Sequence, residues 1–181
     1  QYPLDAERVF VTGMSNGGKM SFRLACETTG IFAAAAPVIA LLPSDLRCEP
    51  EEPISIMIMN GTKDPLVPWE GGQVNAFGRA LGGIRSTAET VSLWVEHNQC
   101  HPGPERIVLD DREPADRSWI EIERYEDCAQ GEEVVLVTVH GGGHTWPGGI
   151  QYLPKFMIGR TNRDTHAGGL IWEFFERVTA E

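Results

Sequence analysis

Apolar residues recur along this chain in short blocks whose spacing switches between strand and helix periods. Arg8-Val9-Phe10-Val11-Thr12 is β-branched and aromatic and stops at Gly13, which predicts a buried strand ending in a tight turn. Gly17 to Glu27 follows with Met20, Leu24 and either Phe22 or Ala25 at helical spacing, and ends before Thr28-Thr29-Gly30. Phe32 to Ala40 and Ile54 to Met59 are almost wholly apolar runs of strand length, a pattern that fits strands covered on both faces. Thr87 to Asn98 carries Val91, Trp94 and Val95 at helical spacing. Trp119 to Tyr125 alternates, and Val134 to Val139 is apolar up to His140-Gly141-Gly142-Gly143, so these two predict antiparallel neighbours. Ala167 to Val178 puts Ile171, Phe174, Phe175 and Val178 on one face of a closing helix. Strands alternating with helices predict an α/β fold with a largely parallel sheet.

Composition narrows the picture without changing it. The 181 residues hold no low-complexity linker and no internal repeat, so the whole span 1–181 reads as a single domain. Fifteen Lys and Arg against 26 Asp and Glu leave a net charge of −11, which repels phosphate backbones and anionic lipid, so neither nucleic acid nor membrane is expected as a partner. The longest apolar run, Ile31 to Leu42, is broken by Pro37 and falls short of the roughly 20 residues that cross a bilayer. Cys26, Cys48, Cys100 and Cys128 contain no CxxC pair of the kind zinc sites or dithiol oxidoreductases use. Their even number leaves buried thiols or two disulfides open, in any of three pairings, of which the sequential one closes the shortest loops.

Chemistry is written at the first turn. Gly13-Met14-Ser15-Asn16-Gly17 is G-x-S-x-G between a strand and a helix, the setting in which a strained turn lifts a serine hydroxyl out of the sheet. The flanking glycines are expected to remove side chains that would collide with the neighbouring strand and helix. Read one step further, Gly13 to Lys19 also satisfies the G-x-x-x-x-G-K of a phosphate-binding loop, and Ile107-Val108-Leu109-Asp110 imitates its second metal-binding strand. Met20 stands where that loop needs Ser or Thr for Mg²⁺, which disfavours the nucleotide reading.

A serine needs a histidine to take its proton and a carboxylate to orient that histidine. Asp64 follows the run Ile54 to Met59 through a turn, and His144 follows Val134 to Val139 through three glycines, in the chain order Ser, Asp, His. The alternatives are an ordinary Asp-Pro turn at Asp64 and a metal pair of His140 with His144, for which three glycines make a poor scaffold. His97, His101 and His166 do not directly follow a buried strand. His140-Gly141-Gly142-Gly143 spells an esterase oxyanion loop but lies downstream of the serine rather than upstream, so it is read as a flexible carrier of His144. The Asn16 backbone N–H is the expected oxyanion donor, and no second donor is visible in the chain.

With these residues in place the chain resembles the secreted polyhydroxybutyrate depolymerase and feruloyl esterase family of α/β-hydrolases, the group that contains the LpqC-like esterases. The resemblance rests on Arg8 to Gly18, Arg23 to Glu27, Asn60 to Gly72, Gly141 to Gly148 and Ile171 to Phe175. It implies Ser15 as nucleophile, Asp64 as acid and His144 as base, secretion, and a disulfide between Cys100 and Cys128. It also points to Trp146 as a candidate to line the ester site, the other reading being a loop anchor packed on the core, and to Trp69 and Glu70, which would line the cleft or cap a turn. The activity it implies is a serine carboxylester hydrolase working through an acyl-enzyme, with no metal or organic cofactor. The substrates would be hydroxyalkanoate polyesters, feruloyl or acetyl esters of polysaccharide, or small aryl esters. A non-catalytic hydrolase-like carbohydrate-binding module is the remaining alternative besides the nucleotide-binding one. The family fold carries several strands before its nucleophile elbow, whereas here the elbow strand opens at Arg8. The expectation is therefore the C-terminal part of an α/β-hydrolase fold, with a sheet edge that an N-terminal segment or another chain would cover.

Overall fold

The structure is a computed structural model that describes residues 3–76 and 78–180. A 3-10 turn at Ala6–Arg8 leads into β1 (Phe10–Met14), followed by α1 (Asn16–Glu27), β2 (Ala34–Val38) and β3 (Ser55–Gly61). After β3 come a hairpin of β4 (Gly72–Ala76) and β5 (Arg79–Ile84), then α2 (Thr87–His97), β6 (Glu105–Val108), β7 (Trp119–Tyr125) and β8 (Val134–His140). A one-turn α3 (Lys155–Ile158) and the closing α4 (Ala167–Val178) complete the order.

Six strands form one sheet in the order β1-β2-β3-β8-β7-β6. The first four are mutually parallel, and β7 and β6 add to them antiparallel. The antiparallel pairing of Trp119 to Tyr125 with Val134 to His140 is the one that the alternation predicts. The near-continuous apolar runs have the expected cause. In β2, β3 and β8, one set of residues (Ala35, Ile56, Ile58, Val134, Leu136) packs with Phe22 of α1 and Trp94 of α2. The alternate set (Ala34, Ala36, Met57, Met59, Val135, Val137) packs with Ile171, Phe174 and Phe175 of α4. Helices thus cover both faces, and strands buried on both sides have no polar positions to alternate with. Phe10 of β1 stacks on Phe175 of α4 at 4.3 Å between ring centroids.

A local signal marks the start of α2. Ser86 and Glu89 form a reciprocal capping box at α2, each side chain accepting the other's backbone N–H. The β4–β5 hairpin escapes sequence patterning because its residues are mostly exposed and glycine interrupts it at 72, 78, 82 and 83. It forms a separate two-stranded sheet over a small cluster of Leu41, Val67, Val74 and Ile84. Disulfides join Cys26 to Cys48 and Cys100 to Cys128, the sequential pairing. No helix among the described residues is long and apolar enough to cross a membrane.

Candidate active site

Because β1, β2, β3 and β8 run parallel, the loops leaving their C-terminal ends open on one edge of the sheet, where open α/β sheets gather functional groups. The first of these loops is the turn at Ser15, which has φ 56° and ψ −110°, a left-handed conformation outside the ordinary basins for a residue with a side chain. Its backbone N–H donates to the Val38 carbonyl at 2.9 Å, tying the turn to β2. A Cβ at Gly13 would lie 2.5 Å from the Gly17 carbonyl carbon, and one at Gly18 would lie 2.5 Å from the Ala40 side chain. Strand, turn and helix therefore close up only without side chains at those two positions. Gly17 differs from expectation, since a Cβ there would meet open space.

Three side chains form a hydrogen-bonded chain. His144 Nε2 lies 2.9 Å from Ser15 Oγ, and His144 Nδ1 lies 2.8 Å from Asp64 Oδ2. A carboxylate can only accept, so Nδ1 carries the proton and Nε2 is free to accept from the serine hydroxyl. Asp64 also makes the Asp-Pro turn, because its Oδ1 accepts the Leu66 and Val67 backbone N–H groups, both at 2.8 Å. The turn and the histidine contact use different oxygens of one buried carboxylate, so the two readings of Asp64 coexist. Asp64 and His144 are 8% and 5% exposed, which shields their interaction from water.

The glycines before His144 are a close-packed brace rather than a flexible carrier. The Gly141 N–H donates to Thr62 Oγ1 and the Lys63 N–H donates to the Gly142 carbonyl, both at 2.9 Å, so the Asp64 and His144 loops are stitched together. The Gly143 N–H donates to the Arg160 carbonyl at 2.9 Å, and a Cβ at Gly143 would run into the Ile158 carbonyl and Gly159. His140 turns elsewhere: it stacks on Trp119 at 3.7 Å and its Nε2 lies 2.9 Å from Glu121, so it does not pair with His144. Asp110 follows β6 at the opposite edge of the sheet from β1, with four strands between, so it stands away from the Gly13 turn as a nucleotide site would not allow.

Ser15 and His144 open into a cavity of about 840 Å³. Its apolar walls come from Leu66, Val67, Val74, Leu81, Leu153 and Ile158, and its polar ones from Asn16, Lys19, Arg79 and Tyr152. Asn16 is the first residue of α1, where backbone N–H groups lack intrahelical acceptors, so its N–H is available beside Ser15. Trp146 and Trp69, expected as lining, do not reach this cavity. Trp69 packs on the core beside α2 and offers its carbonyl to Thr87, and Trp146 packs on the α4 side of the core. Tyr152 is the residue the sequence did not disclose: its O–H donates to the His144 carbonyl at 2.8 Å. Burial, and secondarily the Asp64 charge, raise its phenol above the usual value, which keeps it a donor.

A serine, a histidine and a buried carboxylate at this edge, beneath helices on both faces, are compatible with an α/β-hydrolase-like fold. No family model matches the chain. Over 170 residues it is 35% identical to "Putative esterase NocK" of Nocardia uniformis subsp. tsuyamanensis, a match that covers 88% of the chain and 48% of that protein. It is 29% identical over 145 residues to feruloyl esterase B of Piromyces equi, covering 78% of the chain and 25% of the relative. With feruloyl esterase D of Neurospora crassa it shares 30% identity over 175 residues, 96% of the chain and 49% of the relative. The chain is thus related by sequence to this esterase and feruloyl esterase group, and it spans about half the length of two of these relatives and a quarter of the third.

Proposed function

We propose that the protein is a serine carboxylester hydrolase of the feruloyl esterase type, in which Ser15 attacks the ester carbonyl. The observation that carries this reading is the chain of contacts from Asp64 through His144 to Ser15, ending in a cavity. His144 Nε2 takes the hydroxyl proton as the Ser15 Oγ–carbon bond forms, then returns it to the departing alcohol. Water repeats the sequence in reverse to free the acid. Asp64 holds the proton-bearing Nδ1 and stabilises the imidazolium, and the Asn16 N–H faces the developing oxyanion. No step calls for a metal or an organic cofactor. The names of the relatives support esters of hydroxycinnamoyl type ahead of polyesters. The two disulfides support secretion, since such bonds persist in oxidising compartments.

The test is hydrolysis of methyl ferulate and 4-nitrophenyl esters. Ser15→Ala and His144→Ala should each lower kcat by about 10⁴-fold or more with the fold intact by circular dichroism. Turnover retained by His144→Ala would remove the base from this account.

A further inference from the structure

The charges that face the reacting cavity are opposite in sign to those of the molecule. The chain carries a net charge of −11, yet the charged residues lining the cavity are Lys19 and Arg79, and no Asp or Glu is part of that lining; Lys19 also borders the neighbouring groove that holds Glu27 and Asp45. Lys19 lies one turn into α1 from Ser15, so the i, i+4 spacing sets its stem on the face of the helix that begins at the serine. Arg79 opens β5 and reaches the cavity from the hairpin, alongside Val74 and Leu81. Among the described residues neither cation takes part in an ion pair, although Arg23, Arg47, Arg106, Arg124 and Arg177 all do.

We propose that Lys19 and Arg79 select ester substrates that carry a carboxylate in addition to the ester being cleaved. This inference rests on Ser15 being the nucleophile and adds the class of substrate. An apolar cavity penalises a bare anion for the water it loses, and two cations on the walls offset that penalty. They do so only for a ligand whose negative group lies away from the scissile carbonyl. A Lys ammonium on a flexible stem and an Arg fork on a separate hairpin approach such a group from two elements, which places it between helix and hairpin rather than at the oxyanion donor. The mature reaction is unchanged: the acyl group still leaves on water, and the extra carboxylate remains ionised throughout.

The experiment measures covalent labelling of Ser15 by matched 4-nitrophenyl phosphonates, in which the Ser15 Oγ–phosphorus bond forms and 4-nitrophenolate departs. One pair carries a methyl or a carboxylate at the end of the alkyl chain, mimicking the acid part of an ester. A second pair carries the same two groups on the retained alkoxy chain, mimicking the alcohol part. In at least one pair the anionic probe should react about fivefold faster or more, and the preference should shrink in Lys19→Gln and in Arg79→Gln. Arg79 is exposed, so its replacement leaves the fold in place even if Lys19→Gln does not. Equal or slower labelling by the anionic member of both pairs overturns the inference and leaves the Ser15 reading standing. A preference untouched by both substitutions overturns the assignment to these two residues. Failure of every probe to label the folded protein sinks the Ser15 reading, and the inference with it.

Discussion

Ser15 sits in a backbone conformation that costs on the order of 1–3 kcal/mol and survives only because its surroundings over-determine it. Those surroundings are glycines, and the sequence shows where they stand but not why. Gly13 and Gly18 are needed for contact with the Gly17 carbonyl and Ala40, whereas Gly17 has open space, a distinction no motif conveys. Gly143 belongs with the first two. Gly143→Ala pushes a methyl into the backbone at Ile158 and Gly159, and should destabilise the fold by about 1–3 kcal/mol in urea unfolding while displacing His144. Tyr152 acts on the same loop. Removing its hydroxyl in Tyr152→Phe forfeits about 1 kcal/mol of hydrogen bonding to the His144 carbonyl, so kcat should fall several-fold with KM little changed. Because the fold raises the phenol's pKa, the neutral form is the one favoured in the folded state, and its contribution is complete below the free phenol value of about 10 and lost above it. The ratio of wild-type to Tyr152→Phe activity should therefore be constant from about pH 6 to about pH 9, and a fall within that window would contradict the assigned donor role.

At the scale of elements, legibility followed burial. Strands β2, β3 and β8 and helices α2 and α4 were readable because both faces of the strands and one face of each helix meet a core. The β4–β5 hairpin was not, since exposed glycine-rich backbone carries no apolar period, and with it the residues Val74, Arg79 and Leu81 were lost from the candidate site. The tryptophans show the converse: a large apolar side chain satisfies a core as readily as a cleft, and Trp69 and Trp146 pack on the core. Cysteine count left the pairing open, and the fold supplies it by bringing Cys26 of α1 to Cys48 and Cys100, just after α2, to Cys128. Each bridge closes a loop of 22 or 28 residues, worth about 3 kcal/mol in the chain-entropy account. Alkylation of the unfolded, unreduced protein should add no mass, and replacing both Cys100 and Cys128 by Ser should lower Tm by about 6–12 °C. A free thiol on either residue would contradict the bridge.

Across the whole molecule, three loops separated in sequence reach one point because parallel strands deliver their C-terminal ends to the same edge of the sheet. Ser15, Asp64 and His144, singled out by chain order and strand endings, meet in the fold, while the cavity they open into depends on packing that no single segment specifies. The account stands or falls on whether Ser15 is a nucleophile. The most direct measurement is treatment of the folded protein with a fluorophosphonate, followed by peptide mapping. The account predicts one phosphonylated residue, Ser15, with labelling lost in Ser15→Ala. Labelling at another residue, or none in protein shown to be folded, would contradict it.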